Sequence, residues 1–536
     1  MADPATAAAP LRRPVFRALW LALIVSSLGS WMHDVGAGWL MATLAPEPVM
    51  VSLVQAATLL PLFVLTLPAG ALADIVNRRR YLIATQTWMM AAAGLLGAVT
   101  LAGLVDEWSL LALTLAMGCG SAMTMPAFSA LIPDLVPREE LTAAVTLNSI
   151  AFNATRALGP ALAGGIVAAA GPGLVFLVNA ASFTAVIWVI SRYRAAQPAS
   201  SLPGERFLAS MRTGLRYARR ANELHVVILR GLPLFTAMSA PLAFLPLVVK
   251  TELLMGPRTY GLLLGCIGAG AVATGLLLPR LRRRHSSDLV ILLGSFGVVL
   301  ASVALALLRS VPLLALAMLL LGASWISAQS TLQVTAQLAL PGWVRARGLA
   351  VFIASFMGMM ALGAIGWGKV AEMTSVSTAL LIAAGIGALG TLAAAGLSLE
   401  KVAQRDPTPA DPLHDPRLLP GAGDADRGPV LVNIHYEIDP AEAEDFVAAM
   451  QEVRRVRLRN GSSAWGLFQD AADERHFTEI FLDESWLDHL RQAERVTRED
   501  RRIVDRARAY HRGSEAPRVT HHVAPRRPQK RLQERR

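Results

Sequence analysis

The chain has 536 residues, of which 54% are hydrophobic and only 17% charged, and its formal net charge is +11. A soluble globular domain carries about 25% charged residues, so the composition excludes an ordinary soluble protein as a description of the whole. Two cysteines, Cys119 and Cys266, both inside apolar runs, exclude a disulfide framework, and no cysteine or histidine spacing reads as a metal site.

The average conceals a break. Residues 15–398 are mostly apolar runs, whereas 399–536 are charged and ordinary. Residues 1–15 contain arginines but no small-residue cleavage site follows, so they read as a cytoplasmic tail and not as a removed leader. Apolar runs then cover 16–42, 49–73, 81–104, 108–132, 142–170 and 174–191, and again 224–249, 258–279, 288–308, 312–337, 344–368 and 376–398. About 20 apolar residues cross a bilayer, so these predict twelve transmembrane helices, six in 16–191 and six in 224–398. Loops on the Met1 side hold 20 arginines, against 4 basic residues in the opposite loops. That asymmetry predicts a multi-pass protein of the inner (plasma) membrane, embedded in the lipid bilayer with both termini cytoplasmic. It also accounts for the positive charge without nucleic acid as a partner.

Ionisable groups within a membrane span are costly, and so they mark candidate functional sites. In helix 1, Asp34 lies past the midpoint among Trp31, Met32 and Trp39. It is a candidate for a protonatable coupling site, or for the anion that meets a cationic substrate; a structural ion pair is the competing reading. His33 is adjacent but turned about 100° around the helix.

Between helices 2 and 3 comes Gly70-Ala71-Leu72-Ala73-Asp74-Ile75-Val76-Asn77-Arg78-Arg79-Arg80. Three arginines cannot lie in hydrocarbon, so this turn sits at a membrane surface. It resembles the loop between helices 2 and 3 of the major facilitator superfamily, roughly G-x-L-A-D-R-x-G-R-R. Gly70, Leu72, Ala73, Asp74, Arg78, Arg79 and Arg80 match, while Ile75 and Asn77 depart from it. The resemblance implies that Gly70, Asp74 and Arg78–Arg80 act in gating. Arg282–Arg284 follows 204 residues after Arg78–Arg80, and the same offset carries Gly118 to Gly322, Pro137 to Pro341, Gly159 to Gly363 and Gly164 to Gly368. The chain therefore reads as a duplicated six-helix unit, the parallel repeat that this superfamily uses.

In helix 5, Arg156 is the one charged residue, followed by Gly159-Pro160-Ala161-Leu162-Ala163-Gly164-Gly165. Small residues permit close helix approach and proline permits a kink. The run resembles the helix-5 motif of proton-coupled antiporters, G-P-x-x-G-G, with one residue added, and so implies export; simple tight packing is the alternative. A lone guanidinium at this depth makes pairing of Arg156 with Asp34 an expectation. Amides at depth, Gln55, Asn148, Asn153, Asn179, Gln329, Gln333 and Gln337, are candidates to line a cavity or to bond helix to helix.

Residues 192–223 join the halves. Phe207, Met211 and Leu215 beside Arg212, Arg216, Arg219 and Arg220 predict a basic amphipathic helix at the inner membrane surface. A flexible Pro, Asp and Ala-rich linker is expected over 399–428. In 429–525, Val432, Ile434, Tyr436 and Ile438 alternate with polar residues as a half-buried strand does. A helix follows from Pro440, then strands near 464–469 and 475–482, an arginine-rich helix capped by Ser485, and a strand over 519–523. The order βαββαβ predicts a small α+β domain of ferredoxin-like type. It resembles, at fold level, small dimeric α/β-barrel domains related to antibiotic-biosynthesis monooxygenases, which makes self-association through 429–525 a candidate. Residues 526–536 form a basic tail.

Three stretches are similar to one branch of the superfamily, that of the enterobactin exporter: Ser27–Leu40, Pro126–Leu141 and Trp486–Thr497. The resemblance implies a membrane all-α fold of two pseudo-symmetric bundles with an α+β appendage, and a secondary transporter rather than an enzyme. The expected activity is proton-coupled efflux of a small-molecule substrate, a siderophore, drug or secondary metabolite. No cofactor is expected, and no G-x-x-x-x-G-K-[ST] run points to ATP. A membrane-tethered oxygenase-like enzyme and a membrane sensor are the alternatives from other classes.

Overall fold

The computed structural model describes residues 9–192, 217–404, 406, 408, 410 and 427–525. The expected amphipathic stretch around Phe207, Met211 and Leu215, the linker over 411–426 and the basic tail lie outside the described residues, as does the side chain of Asp74. The chain forms two compact units.

The first unit comprises 1–204, 226–334 and 350–400. Its first six helices are α1 (Pro14–Leu44), α2 (Pro48–Ile75), α3 (Arg78–Leu101), α4 (Glu107–Leu135), α5 (Leu141–Ala170) and α6 (Pro172–Arg192). The second six are α7 (Asn222–Leu247, continued by a π-helical turn to Glu252), α8 (Pro257–Arg284), α9 (Ser287–Leu307), α10 (Val311–Ala339), α11 (Arg345–Met373) and α12 (Val376–Ala393). Each start has a local cause. Pro14, Pro48 and Pro257 stand in the first turn, where a missing N–H costs nothing. Asn77 caps α3 by accepting from Arg80 N at 3.2 Å, and Asp106 with Ser109 forms a reciprocal capping box on α4. Gly171, at φ +79°, ends α5 in a conformation that other residues avoid.

Among the described residues, eleven helices are long and apolar enough to cross a membrane. Helix α5 is not among them: Asn153, Arg156, Pro160 and its glycines dilute the apolar residues. Within the first half, α1 packs on α5 and α6, and α3 on α4 and α6, while α2 packs on α4. In the second half α9 packs on α12. Between the halves, α5 packs along α8.

The second unit comprises 205–225, 335–349 and 401–536. Its strands are β1 (Val430–Glu437), β2 (Ala464–Gln469), β3 (His476–Asp483) and β4 (Arg518–Val523), in an antiparallel sheet of order β2-β3-β1-β4. Val432, Ile434 and Tyr436 turn one face of β1 onto Phe446, Met450 and Val453 of α13 (Ala443–Asn460). Where one further helix was expected there are two, α14 (Trp486–Glu494) and α15 (Arg498–Arg508). The break is a second capping box: Asp500 N donates to Thr497 Oγ1 at 3.1 Å, and Thr497 N donates back to Asp500 at 3.1 Å.

The expected linker is partly structured. Leu399–Ala403 is helical, Ala410 N donates to Val496 O at 2.9 Å, and Arg498 N donates to Thr408 O at 2.9 Å. Residues 217–225 and 335–349 belong to this unit through side chains. Arg459 lies 3.8 Å from Glu223, Arg495 stacks 4.5 Å from the Trp343 ring, and Arg220 donates to Leu458 O at 2.7 Å.

Candidate functional site

A cavity of about 410 Å³ lies between the first six and the second six helices. Helical periodicity aims its lining. Trp31, Asp34 and Gly38 recur along one face of α1, and Phe152, Arg156 and Pro160 recur at intervals of four along α5. Trp325 and Gln329 do the same on α10, where the Trp325 indole N–H donates to the Gln329 side chain.

Asp34 is exposed, and what it is exposed to is this hollow. Arg156 is only 7% exposed. Its guanidinium sits 3.7 Å from the centre of the Trp325 ring and 5.9 Å from that of Trp31. Such stacking is favourable when desolvated. It leaves the N–H groups unsatisfied: among the described residues no protein acceptor meets them, and Nη2 is fully covered without a partner. The expected ion pair between Asp34 and Arg156 is not formed; the two share a cavity without touching.

The other candidates divide. Gln55, Pro160 and Gln329 line the cavity, but Asn148, Asn153, Asn179 and Gln333 do not. Asn153 donates to Ser149 O on its own helix at 2.8 Å. His33 turns away from the hollow, 2% exposed against Phe176 at 4.8 Å, with neither ring nitrogen bonded among the described residues. Sequence reasoning passed over Trp325 and Tyr260 as lining groups. The signal that was available is the indole at 325, one helical turn before Gln329.

The small residues of α5 serve a contact between the halves. A Cβ on Gly261 would lie 2.4 Å from Pro160 O, one on Gly268 would lie 2.4 Å from Ala157 Cα, and one on Gly164 would lie 2.6 Å from Pro257 O. Backbone therefore meets backbone along α5 and α8. A Cβ on Gly159 would lie 2.7 Å from Trp31 Cβ, whereas Gly165 faces open space and takes no part. Lys250 Nζ donates to Ala42 O at 2.7 Å, and Gly368 leaves no room for a Cβ beside Ser52. The Gly164–Pro257, Lys250–Ala42 and Gly368–Ser52 contacts lie toward the helix ends remote in sequence from Arg78–Arg80 and Arg282–Arg284, while Gly268–Ala157 and Gly159–Trp31 lie near the helix middles.

At the arginine end, Arg79 donates to Ser191 O at the end of α6, and Arg282 donates to Thr331 at 3.2 Å. Each ties helix ends within its own half. A Cβ on Gly70 would meet Pro126 at an ordinary 3.6 Å, and Arg80 is exposed.

The family model for transmembrane secretion effectors, a branch of the major facilitator superfamily, matches residues 5–529. The chain belongs to that family. The transporter is similar to an uncharacterised MFS-type transporter of Bacillus subtilis (strain 168), YfiS, at 25% identity over 389 residues, 69% of this chain and 92% of that protein. A stretch of 154 residues is 30% identical to the staphyloferrin A transporter of Staphylococcus aureus (strain NCTC 8325 / PS 47), covering 28% of this chain and 39% of the other. Among solved structures, a POT family transporter in complex with 5-aminolevulinic acid aligns with TM-score 0.60 and 12% identity over 73% of this chain and 96% of its own. A bacterial homologue of the iron transporter ferroportin in an inward-facing state aligns with TM-score 0.55 and 18% identity over 73% and 99%. The fold is that of a major facilitator, and the protein is a membrane transporter. The family match runs through the α+β unit, so that extension is part of the family pattern.

Proposed function

We propose that this transporter expels a small organic molecule by alternating access, with protons entering by way of Asp34. The observation that carries the reading is the hollow between the two halves, bordered by the close α5–α8 seam and holding one exposed carboxylate, Asp34. Twelve spans complete it: α5, too polar to span by itself, turns Arg156 to the hollow and its glycines to α8. The halves then rock about the hollow as repeated six-helix units. With both termini in the cytoplasm of an inner-membrane protein, the seam closes the outer side, and the cavity is the inward-facing one. Asp74 with Gly70 and Arg78–Arg80 closes the cytoplasmic side in the other state. Residues 429–525, with their sheet order, act as a ferredoxin-like cytoplasmic domain through which copies can associate. The partial likeness to a staphyloferrin A transporter favours a secreted metabolite as cargo.

The test is an exometabolite comparison. Deleting the gene should remove a compound from the medium; the wild-type gene should restore it and Asp34→Asn should not, at equal expression. Restoration by Asp34→Asn removes the proton role of that carboxylate. An unchanged medium removes export.

A further inference from the structure

The polar groups of the cavity are unequal, and the inequality points to a class of cargo. Asp34 is exposed to the hollow. Arg156 has no protein anion: it is buried, flanked by Trp325 and Trp31, and bonded to no acceptor among the described residues. A buried cation that lacks a counter-charge is expensive to hold, and proteins retain one where something else supplies the charge. The guanidinium presents N–H groups in a planar fork that matches a carboxylate.

We propose that the cargo is an organic carboxylate carried on a flat apolar body, with the carboxylate seated on Arg156 and the body held among the aromatic side chains beside it. The proposal rests on the reading of this cavity as the transport site, and it names what that site takes. The surroundings fit a flat body. Trp31 and Phe152 stand 5.9 Å apart at a tilt of 60°, and Phe356, Met357 and Met360 line the facing wall. Methionines adapt to varied shapes, so the body is less closely specified than the charge. A hollow of about 410 Å³ lies in the range that takes ligands of this size. A stacked arginine also resists replacement by lysine, which offers a point charge but neither the plane nor the fork.

The experiment is equilibrium dialysis of three matched probes against the full-length protein in lipid nanodiscs: 1-naphthoate, 1-naphthamide and 1-naphthylmethylamine. Naphthoate should bind at least tenfold tighter than the amide, and the amine should bind weakest. Arg156→Gln should remove the preference for naphthoate while leaving amide binding and the melting profile in place. Arg156→Lys should keep part of the preference, which covers the case in which the glutamine variant folds poorly. Equal binding of the three probes, tighter binding of the amine, no binding of any, or a preference that survives Arg156→Gln overturns the proposal. The transport reading fails separately: if naphthoate binds through Arg156 but does not leave loaded proteoliposomes, the anion site stands and the exporter falls. If the exported metabolite found by gene deletion is a cation, the exporter stands and the anion site falls.

Discussion

Two buried arginines, one in each unit, solve the same electrostatic problem in opposite ways. Arg457 of α13 is 4% exposed and lies 3.0 Å from Glu479, itself fully buried. The same carboxylate accepts from Tyr436 Oη at 3.1 Å and from Trp465 Nε1 at 3.1 Å. Burial, then the Glu479 charge, pushes the Tyr436 phenol well above its ordinary range, so it stays a donor. Arg156 is almost equally buried and has two indoles but no acid. The first arrangement has its counter-charge within the fold, although Arg457 Nη2 also lacks a hydrogen-bond partner among the described residues. The second is complete only with a visitor.

The largest expected effect breaks the completed side. Glu479→Gln takes from Arg457 the carboxylate it pairs with, and removing one partner of a buried pair costs about 3–5 kcal/mol. Hydrogen exchange on the full-length protein should then show β1, β3 and α13 opening far more often; unchanged protection would mean that Glu479 contributes nothing there. Arg156→Met has no pair to break, and its melting temperature should hold or rise.

The completed side was the more legible of the two. Period-two alternation at Val432, Ile434 and Tyr436 placed β1, because a strand with one buried face must alternate. The membrane helices were legible because runs of about 20 apolar residues suffice to cross a bilayer. Asp34 and Arg156 stood out because charge is rare at such depth. Their relation did not, because whether Arg156 meets Asp34 or Trp325 depends on how α1, α5 and α10 pack, over sequence separations that no local pattern encodes. The α14–α15 break was legible in principle, in Thr497 and Asp500 three apart, but continuous arginine-rich sequence hid it. Gly165 looked equivalent to Gly164; one residue of helical rotation puts it on open space.

A smaller effect sharpens the contrast by moving a wall of the cavity, which the packed core around Arg457 does not allow. Gly261→Leu places side-chain atoms where Pro160 O lies 2.4 Å from even a Cβ, so the α5–α8 seam must part. Overpacking costs about 1–3 kcal/mol, enough to shift the population of the sealed state by roughly five- to 150-fold. A cysteine replacing Tyr260, with Cys119 and Cys266 changed to serine, should then react faster with a maleimide added on the outer side of sealed vesicles. An unchanged rate would show that the seam is not the outer closure.

The smallest effect concerns a side chain whose charged form the fold disfavours. His521 on β4 packs 5.0 Å from His489 and 5.9 Å from Trp486. Burial first, and then the neighbouring His489, lower its pKa from the ordinary 6.5, against a weaker opposing pull from Asp483; His522 adds to the lowering. The folded form therefore binds this proton less readily than the unfolded chain does. Its contribution to stability is fully present above pH 6.5 and is lost as the pH falls through that value toward the folded pKa. Exchange rates in β4 and α14, corrected for intrinsic pH dependence, should rise modestly between pH 7.5 and 5.5. His521→Leu should flatten that rise. The Arg457–Glu479 centre should show no such change over this range, since arginine keeps its proton and the glutamate its partners. A pH response in α13 that persists in His521→Leu would place the sensitive group at the arginine centre, and the division between a paired buried cation and a side chain whose charged form is disfavoured would fail.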